Sequence, residues 1–247
     1  GYNAPAANIS DRDLVDADGR ISLTIGGDRP DDGHPWLPLG DDDYLIMVRL
    51  YHRAPELDTP PFTIDRIDDR PASPLAAAER AAAAEGFFRD EILSTIAVTD
   101  TLRAAGVNAY PPPDAPVHRP RYTGALFPTL DNVYDGFFVD LQPGQALLLR
   151  GRPPVARYCS LVFYDRWFNT PDFPRHRCYR TLDELVLGAD GTYEAFIGPD
   201  DPGHANWIDT GGLLQGIFAI RCLLPEQRHL PDVEVIDLSG GAVSQPS

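Results

Sequence analysis

Hydrophobic and polar residues alternate in several short stretches that are bounded by glycine or proline, and this pattern predicts β-strands. Three such stretches follow one another at residues 134–141, 145–150 and 157–164. In the third, alternate positions place Cys159 and Phe163 on one face, and the opposite face is also largely apolar. A strand that is apolar on both faces is typical of the centre of a sheet. We therefore predict a central position for this strand.

Part of the pattern occurs twice. Shifting the sequence by 172 positions aligns residues 17–49 with residues 189–221 and gives nine identities, where chance gives about two. In each copy, an Asp-Gly turn leads into an alternating strand and then into a loop that is rich in Pro, Gly and Asp and carries one Trp. A second strand with an embedded arginine follows, at residues 44–51 or 216–224. The sequence therefore predicts an internal duplication of a hairpin, loop and strand unit.

The two copies differ in what precedes them. The second copy follows the three strands described above, whereas the chain begins about a dozen residues before the hairpin of the first copy. One explanation is that the sequence is the C-terminal piece of a longer protein, and the absence of an initiator methionine favours it. The alternative is that the first copy borrows strands from elsewhere.

A helical insertion is predicted between the copies, over about residues 74–105. Ser73 is a suitable N-cap, an alanine-rich run follows, and Gly86 is expected to interrupt the helix. Residues 110–120 are rich in proline and predict an extended connector. Residues with i, i+4 spacing form an apolar stripe that we expect to face the core: Phe88, Ile92 and Ile96.

These elements predict a mainly β protein, an antiparallel jelly-roll-like β-sandwich with one helical insertion and an internal duplication. The predicted organisation has four segments. They are a first, partial repeat at residues 1–70, the insertion and connector at 71–120, a second, complete β-sandwich unit at 121–238, and a disordered tail at 239–247.

The charge composition excludes several classes of function. All 21 basic residues are arginine, so the chain has no lysine for a Schiff base, a pyridoxal phosphate anchor or a Walker-type phosphate loop. The net charge of −16 disfavours binding to nucleic acid or to an anionic membrane surface. No stretch is apolar enough to span a bilayer, and the first residues do not have the pattern of a secretory signal.

The cysteines and histidines indicate neither a disulfide framework nor a metal site. Cys159, Cys178 and Cys222 are odd in number and widely spaced, which favours a reducing compartment and a cytoplasmic location. The six histidines have no HxH or HExxH spacing, so no metal and no cofactor are expected. The acidic run at residues 41–43 is interpreted as a solvated hairpin tip, with a calcium site as the alternative.

Several short motifs resemble one family. They are Gln-Pro-Gly-Gln-Ala at 142–146, Gly-Arg-Pro-Pro at 151–154, Ala-Arg-Tyr-Cys-Ser at 156–160, Asp-Gly at 190–191, and Gly-His-Ala-Asn-Trp-Ile-Asp-Thr at 203–210. The chain resembles the uncharacterised-domain family numbered 1214, which often accompanies another family numbered 1254. The resemblance covers residues 130–225 and, more weakly, residues 11–56. It implies a jelly-roll-like sandwich and supplies no catalytic residues.

The loop at residues 199–213 is the first candidate site, because it concentrates polar side chains in a connection of about 15 residues. In the functional interpretation, Trp207 is a stacking platform, His204 and Asn206 bind the ligand, and Asp209 is a base. In the structural interpretation, Trp207 plugs the end of the sandwich and Asp209 bonds the backbone. The first copy also carries a Trp at this place, which favours the structural interpretation.

Arg49 and Arg221 occupy equivalent positions inside apolar strands. A buried guanidinium needs a partner, because leaving it unpaired costs several kcal/mol. The structural interpretation pairs Arg221 with Asp209, and Arg49 with one of residues 41–43. The functional interpretation is that each arginine binds a carboxylate or phosphate of a ligand. The duplication favours the structural interpretation.

The third candidate site is the strand-end segment at residues 164–179. Asp165 and His176 are candidates for a general acid/base pair, because a carboxylate can orient an imidazole and keep it basic. Arg166 and Trp167 are candidates for ligand binding. An exposed loop without a site explains the same composition.

Two functions are therefore open. The first is a small-molecule or sugar-like ligand site at one end of the sandwich. The available chemistry is metal-independent hydrolysis or isomerisation by Asp165, Asp209 and either His176 or His204. The second is a non-catalytic interaction module, whose partner is either a second copy of the chain or an N-terminal segment of the same protein.

Overall fold

The computed structural model describes residues 7–14, 16, 18–40, 43, 45–52, 62–67, 76–115 and 129–238. These residues are mainly β, with one long helix. In chain order the elements are β1 Thr24–Ile25, β2 Trp36–Leu37, α1 Ala77–Ala105, β3 Asn132–Asp140, β4 Gln145–Gly151, β5 Tyr158–Tyr164, β6 Tyr179–Thr181, β7 Tyr193–Gly198, β8 Trp207–Asp209, β9 Gln215–Leu223 and β10 Asp232–Asp237.

Two four-stranded sheets pack face to face. One has the order β3-β9-β5-β6 with antiparallel pairs throughout, and the other has the order β10-β4-β7-β8. The predicted strands at 134–141, 145–150 and 157–164 match β3, β4 and β5 within two residues at each end. The β7–β8 and β1–β2 pairs are parallel, which the antiparallel prediction did not include.

The core lies between the two sheets and explains the alternation in the sequence. Fully buried side chains come from both sheets, including Phe137, Phe163 and Phe218 from one and Leu149 and Ile197 from the other. The strand β5 lies between β9 and β6, so its predicted central position is confirmed. Its outer face is also partly covered, because Val162 and Tyr164 pack in a second apolar cluster with α1.

The helix α1 contacts the outer face of the β3-β9-β5-β6 sheet through its C-terminal part, where Val98 and Leu102 pack near Phe138 and Ile217. It passes through Gly86, so the predicted interruption is wrong. The predicted core-facing stripe is also wrong, because only the last turns of the helix meet the sheet. Its members remain exposed, by 69% at Phe88, 47% at Ile92 and 36% at Ile96.

Several sequence predictions lie outside the described residues. These are the N-cap at Ser73, residues 116–120 of the proline-rich connector and the tail at 239–247. Of the helices that the structure describes, none combines the length and the apolar character that a bilayer span requires.

The two repeat copies share their backbone hydrogen bonds as far as the Trp-bearing strand. The turn bond Gly19 N to Asp16 O of 3.1 Å has its counterpart in Gly191 N to Gly188 O of 2.9 Å. Both turn glycines have a positive φ, 76° and 77°, which favours glycine at these positions. The parallel pair β1–β2 corresponds to β7–β8, since residues 24 and 36 pair as residues 196 and 207 do.

The indole contacts are also equivalent. Trp36 Nε1 donates to Gly26 O at 2.9 Å, and Trp207 Nε1 donates to Gly198 O at 3.1 Å. Beyond this point the copies differ. The predicted strand at 44–51 is wrong over residues 45–51, which form no strand and are mostly exposed, whereas its counterpart forms β9.

The cysteine interpretation needs correction. Cys159 and Cys222 face each other across β5 and β9 and form a disulfide bond, while Cys178 is free and buried. The spacing along the chain gave no indication of this pair, because the register of the two strands brings them together. A disulfide removes the basis for expecting a reducing compartment.

Candidate functional site

The last residue of β8 meets a histidine from the loop before β6. His176 Nδ1 lies 2.8 Å from Asp209 Oδ2. The other carboxylate oxygen, Oδ1, accepts the Gly211 N–H at 2.7 Å, so both oxygens of Asp209 have a donor. The Asp209 side chain is 13% exposed and the His176 side chain 38% exposed. The structure therefore holds a solvent-accessible imidazole on a nearly buried carboxylate.

The backbone fixes this pair from both sides. Asp209 N donates to the carbonyl of Arg177 at 3.0 Å, which ties β8 to the residue after the histidine. Gly211 has φ of 64°, and a Cβ there would lie 3.0 Å from Pro171 Cβ and 3.5 Å from the His176 ring. Glycine is thus required both by the conformation and by the close approach of this loop to the imidazole.

The orientation of His176 decides its chemistry. Asp209 is an acceptor, so the neutral ring carries its proton on Nδ1 and leaves Nε2 with a free lone pair. Within the described residues, no protein group hydrogen-bonds Nε2. This arrangement can take up a proton from a hydroxyl group or a water molecule.

Cys178 lies beside this pair, although nothing in its sequence context indicates a place in the site. Its Sγ is 3.8 Å from Pro171 O, and the residue is buried. Burial raises the pKa of the Cys178 thiol, and the nearby charge of Asp209 raises it further. The thiol is therefore held neutral, which is unfavourable for a nucleophile.

The predicted Asp165–His176 pair is wrong. Asp165 Oδ1 accepts the N–H groups of Trp167 and Asn169 at 2.7 and 2.9 Å, so its carboxylate closes a turn in its own loop. His176 finds its partner in Asp209 instead, 33 residues further along the chain.

Arg166 and Trp167 lie in the same loop. The guanidinium of Arg166 lies 5.1 Å from the centre of the Trp167 ring, and the Arg166 carbonyl accepts the Thr99 hydroxyl of α1 at 2.9 Å. Trp167 is 45% exposed, so its ring presents an aromatic surface to solvent.

The three ligand-binding candidates of the 199–213 loop are built into the fold. Asn206 is fully buried, and its side chain bonds the backbone of Val186 and Glu194. His204 Nδ1 accepts the Asn206 N–H at 3.1 Å, and burial lowers the pKa of this histidine. The Trp207 indole also bonds the backbone, at Gly198 O. All three side chains are therefore engaged by the fold, as in the structural interpretation of this loop.

The predicted pairing of Arg221 with Asp209 is also wrong. The Arg221 guanidinium lies against the rings of Tyr164 and Tyr134, with Cζ 5.0 and 5.7 Å from their centres. Arg49 contacts the second of these tyrosines, because its Nη1 donates to Tyr134 Oη at 2.9 Å. The equivalent arginines of the two copies thus meet at one aromatic side chain.

The cleft described next lies away from His176, and the described residues offer no metal site. A cleft of about 390 Å³ is lined by Arg150, Arg152, Tyr193 and neighbouring residues of β4 and β7, and not by His176 or Asp209. In the described ranges, no three His, Cys, Asp or Glu side chains are grouped closely enough to hold a metal ion.

Comparison with solved structures shows the fold alone. An uncharacterised protein from Burkholderia cenocepacia superposes with a TM-score of 0.51 and 21% identity, over 57% of this chain and 39% of the other. The VPA0106 protein from Vibrio parahaemolyticus gives a TM-score of 0.35 and 17% identity, over 48% of this chain and 34% of the other. The present chain thus spans less than half the length of either protein.

No curated protein matches the chain. A family model matches two segments, residues 2–55 and 135–227, which together make up more than half of the sequence. These segments contain both repeat copies, the His176–Asp209 pair and Arg221, and they agree with the resemblance found in the short motifs. The chain belongs to the family described as Protein of unknown function (DUF1214).

Proposed function

We propose that this chain binds a small hydroxyl-bearing molecule at the His176–Asp209 pair and that His176 acts there as a general base. The observation that carries the proposal is the 2.8 Å contact between His176 Nδ1 and Asp209 Oδ2, with the ring partly exposed. A carboxylate that orients an imidazole and stabilises its protonated form is the arrangement that general-base catalysis uses.

The chemistry proposed is a metal-independent hydrolysis or isomerisation. Both begin when a base removes a proton, from water in the first case and from a carbon or hydroxyl group in the second. Glycoside hydrolysis by the common route needs two carboxylates, and Asp209 is already engaged with the imidazole. A hydroxyl-rich molecule is therefore proposed as a ligand, with the exposed Trp167 ring as a stacking surface. The reaction that suits His176 as a base is the hydrolysis of an ester.

We expect Asp209→Asn to reduce this activity as strongly as His176→Ala, by at least about tenfold in the rate of p-nitrophenyl acetate hydrolysis. Because Asp209 Oδ1 accepts the Gly211 N–H, an asparagine keeps its carbonyl oxygen on that side and turns its amide NH₂ toward His176. The imidazole is then forced to carry its proton on Nε2 and loses its function as a base.

The control is His229→Ala, which removes an exposed histidine from a different part of the surface. Its rate should stay within about twofold of the unchanged chain, because general-base catalysis requires a positioned imidazole. Equal rates in all four proteins would contradict the proposal.

The two repeat copies are best explained by an ancestral duplication. Support comes from the equivalent turn, parallel strand pair and indole contact over residues 16–37 and 188–208. We also propose a jelly-roll-like arrangement. Its support is the packing of two four-stranded sheets on each other.

A second candidate function is a non-catalytic interaction module. The observation in its favour is the stripe on one face of α1 formed by Phe88, Ile92 and Ile96, all of which are exposed. An apolar helix face of this kind is common at protein interfaces. If the module forms a homo-oligomer, Phe88→Asp should shift the sedimentation of the chain toward the monomer; an unchanged sedimentation profile would contradict this.

A further inference from the structure

We propose that Arg221 forms a binding site for a small carboxylate on the outer face of the β3-β9-β5-β6 sheet. Within the described part of the chain, no hydrogen bond or ion pair joins Arg221 to His176 or Asp209, so this proposal does not rest on the proposed base.

The surroundings of Arg221 consist of aromatic side chains. Its guanidinium lies 5.0 Å from the centre of the Tyr164 ring and 5.7 Å from that of Tyr134. Its Nε is buried and has no hydrogen-bond partner. Tyr164 is also buried, and burial raises the pKa of its hydroxyl group while the charge of Arg221 acts in the opposite direction. A cation is thus held among phenol rings, and none of the carboxylates that the structure describes pairs with it.

The relevant comparison is with the other described arginines that have a buried and unpartnered Nε. Arg177 and Arg180 also have an Nε without a partner, but each donates through another nitrogen, Arg177 to Glu184 and Arg180 to the carbonyl of Ala205. Arg150 bonds two glutamates, and Arg228 bonds Asp135. Among the described residues, none forms a hydrogen bond or an ion pair with the Arg221 guanidinium, although the chain has 37 acidic groups.

The contacts of the Arg221 guanidinium favour binding of an anion as an additional partner. Contacts with aromatic rings stabilise a guanidinium by about 0.5–2 kcal/mol but leave its hydrogen-bonding capacity unused. Arg221 is partly exposed, so a dissolved anion can reach guanidinium nitrogens that no described residue bonds, and charge-assisted bonds to a guanidinium are among the strongest in proteins.

The shape of the site favours a carboxylate. A carboxylate bonds a guanidinium side by side in one plane, and the resulting flat pair fits between ring faces. The neighbouring Ser160, which lies opposite Arg221 across β5 and β9, adds hydrogen-bonding capacity. Tyr134, already bonded by Arg49, forms the opposite wall.

Calorimetric titration with sodium benzoate tests the proposal. We expect Arg221→Gln to weaken benzoate binding by at least tenfold relative to the unchanged chain. The matched control is Arg150→Gln, which makes the same change in net charge at an exposed arginine that already has two glutamate partners. Its affinity should stay within twofold. Arg221→Lys keeps the charge but loses the planar fork, so it should also bind more weakly.

The outcomes separate the alternatives. Equal affinities in the unchanged chain and in Arg221→Gln, or no binding to either, would overturn the site. Binding of inorganic phosphate that is as tight as that of benzoate and is equally lost in Arg221→Gln would overturn the carboxylate assignment. His176→Ala should bind benzoate as tightly as the unchanged chain. The test of the carboxylate site therefore does not depend on whether His176 acts as a base. If Arg221→Gln does not fold, by circular dichroism, Arg221→Lys gives the decision.

Discussion

Replacing Asn206 with alanine is expected to lower the free energy of unfolding by about 3 kcal/mol or more, because three partly buried backbone groups lose their partners at about 1 kcal/mol or more each. The Asn206 side chain accepts the Val186 N–H at 2.8 Å and donates to the Val186 and Glu194 carbonyls, both also at 2.8 Å. The residue is completely buried, so water cannot replace these bonds.

Urea unfolding followed by circular dichroism measures this effect. The matched control is Asn169→Ala, because the one side-chain bond of Asn169, to Asp165 Oδ2, is 3.4 Å long and exposed. The control should change the free energy of unfolding by less than about 0.5 kcal/mol. Small and equal effects of both variants would contradict the structural role of Asn206 and restore its interpretation as a ligand-binding residue.

Reduction of the Cys159–Cys222 disulfide is expected to cost about 4 kcal/mol of stability, since the bond closes a loop with a sequence separation of 63. The double variant Cys159→Ala with Cys222→Ala should lose a similar amount without any reductant. Urea midpoints with and without dithiothreitol give the comparison, and the double variant should show no further response to the reductant.

A thiol count provides the control for this prediction. In denaturant without reductant, one thiol should react, that of Cys178, and after reduction all three cysteines should react. Three reactive thiols before reduction would show that the bond is not formed. Cys178→Ala should leave the effect of dithiothreitol on stability unchanged.

The strands were predictable where the period of two is long enough to detect. β3, β4 and β5 each extend over at least seven residues, and their alternation follows the inner face of the sandwich. β6 and β8 have three residues each, too few for a period to appear. The helix stripe shows a different limit: an apolar stripe on a helix does not reveal whether another element covers it.

The candidate site was predictable in its residue types but not in its pairs. Proximity along the chain suggested Asp165 as the partner of His176, whereas the turn at residues 165–169 uses that carboxylate locally. Asp209 reaches the histidine because β8 and β6, which are edge strands of different sheets, lie close together, and this depends on how the two sheets pack. The disulfide has the same origin, since the register of β5 and β9 places two inward-facing cysteines opposite each other.

Nitrogen-15 NMR of the histidine side chains tests the central claim, that Asp209 holds His176 with Nε2 available as a base. In neutral His176, Nδ1 should carry the proton and Nε2 should show the shift of an unprotonated ring nitrogen. In Asp209→Asn the two should exchange roles. A proton on Nε2 in the unchanged chain, or the same tautomer in both proteins, would contradict the account.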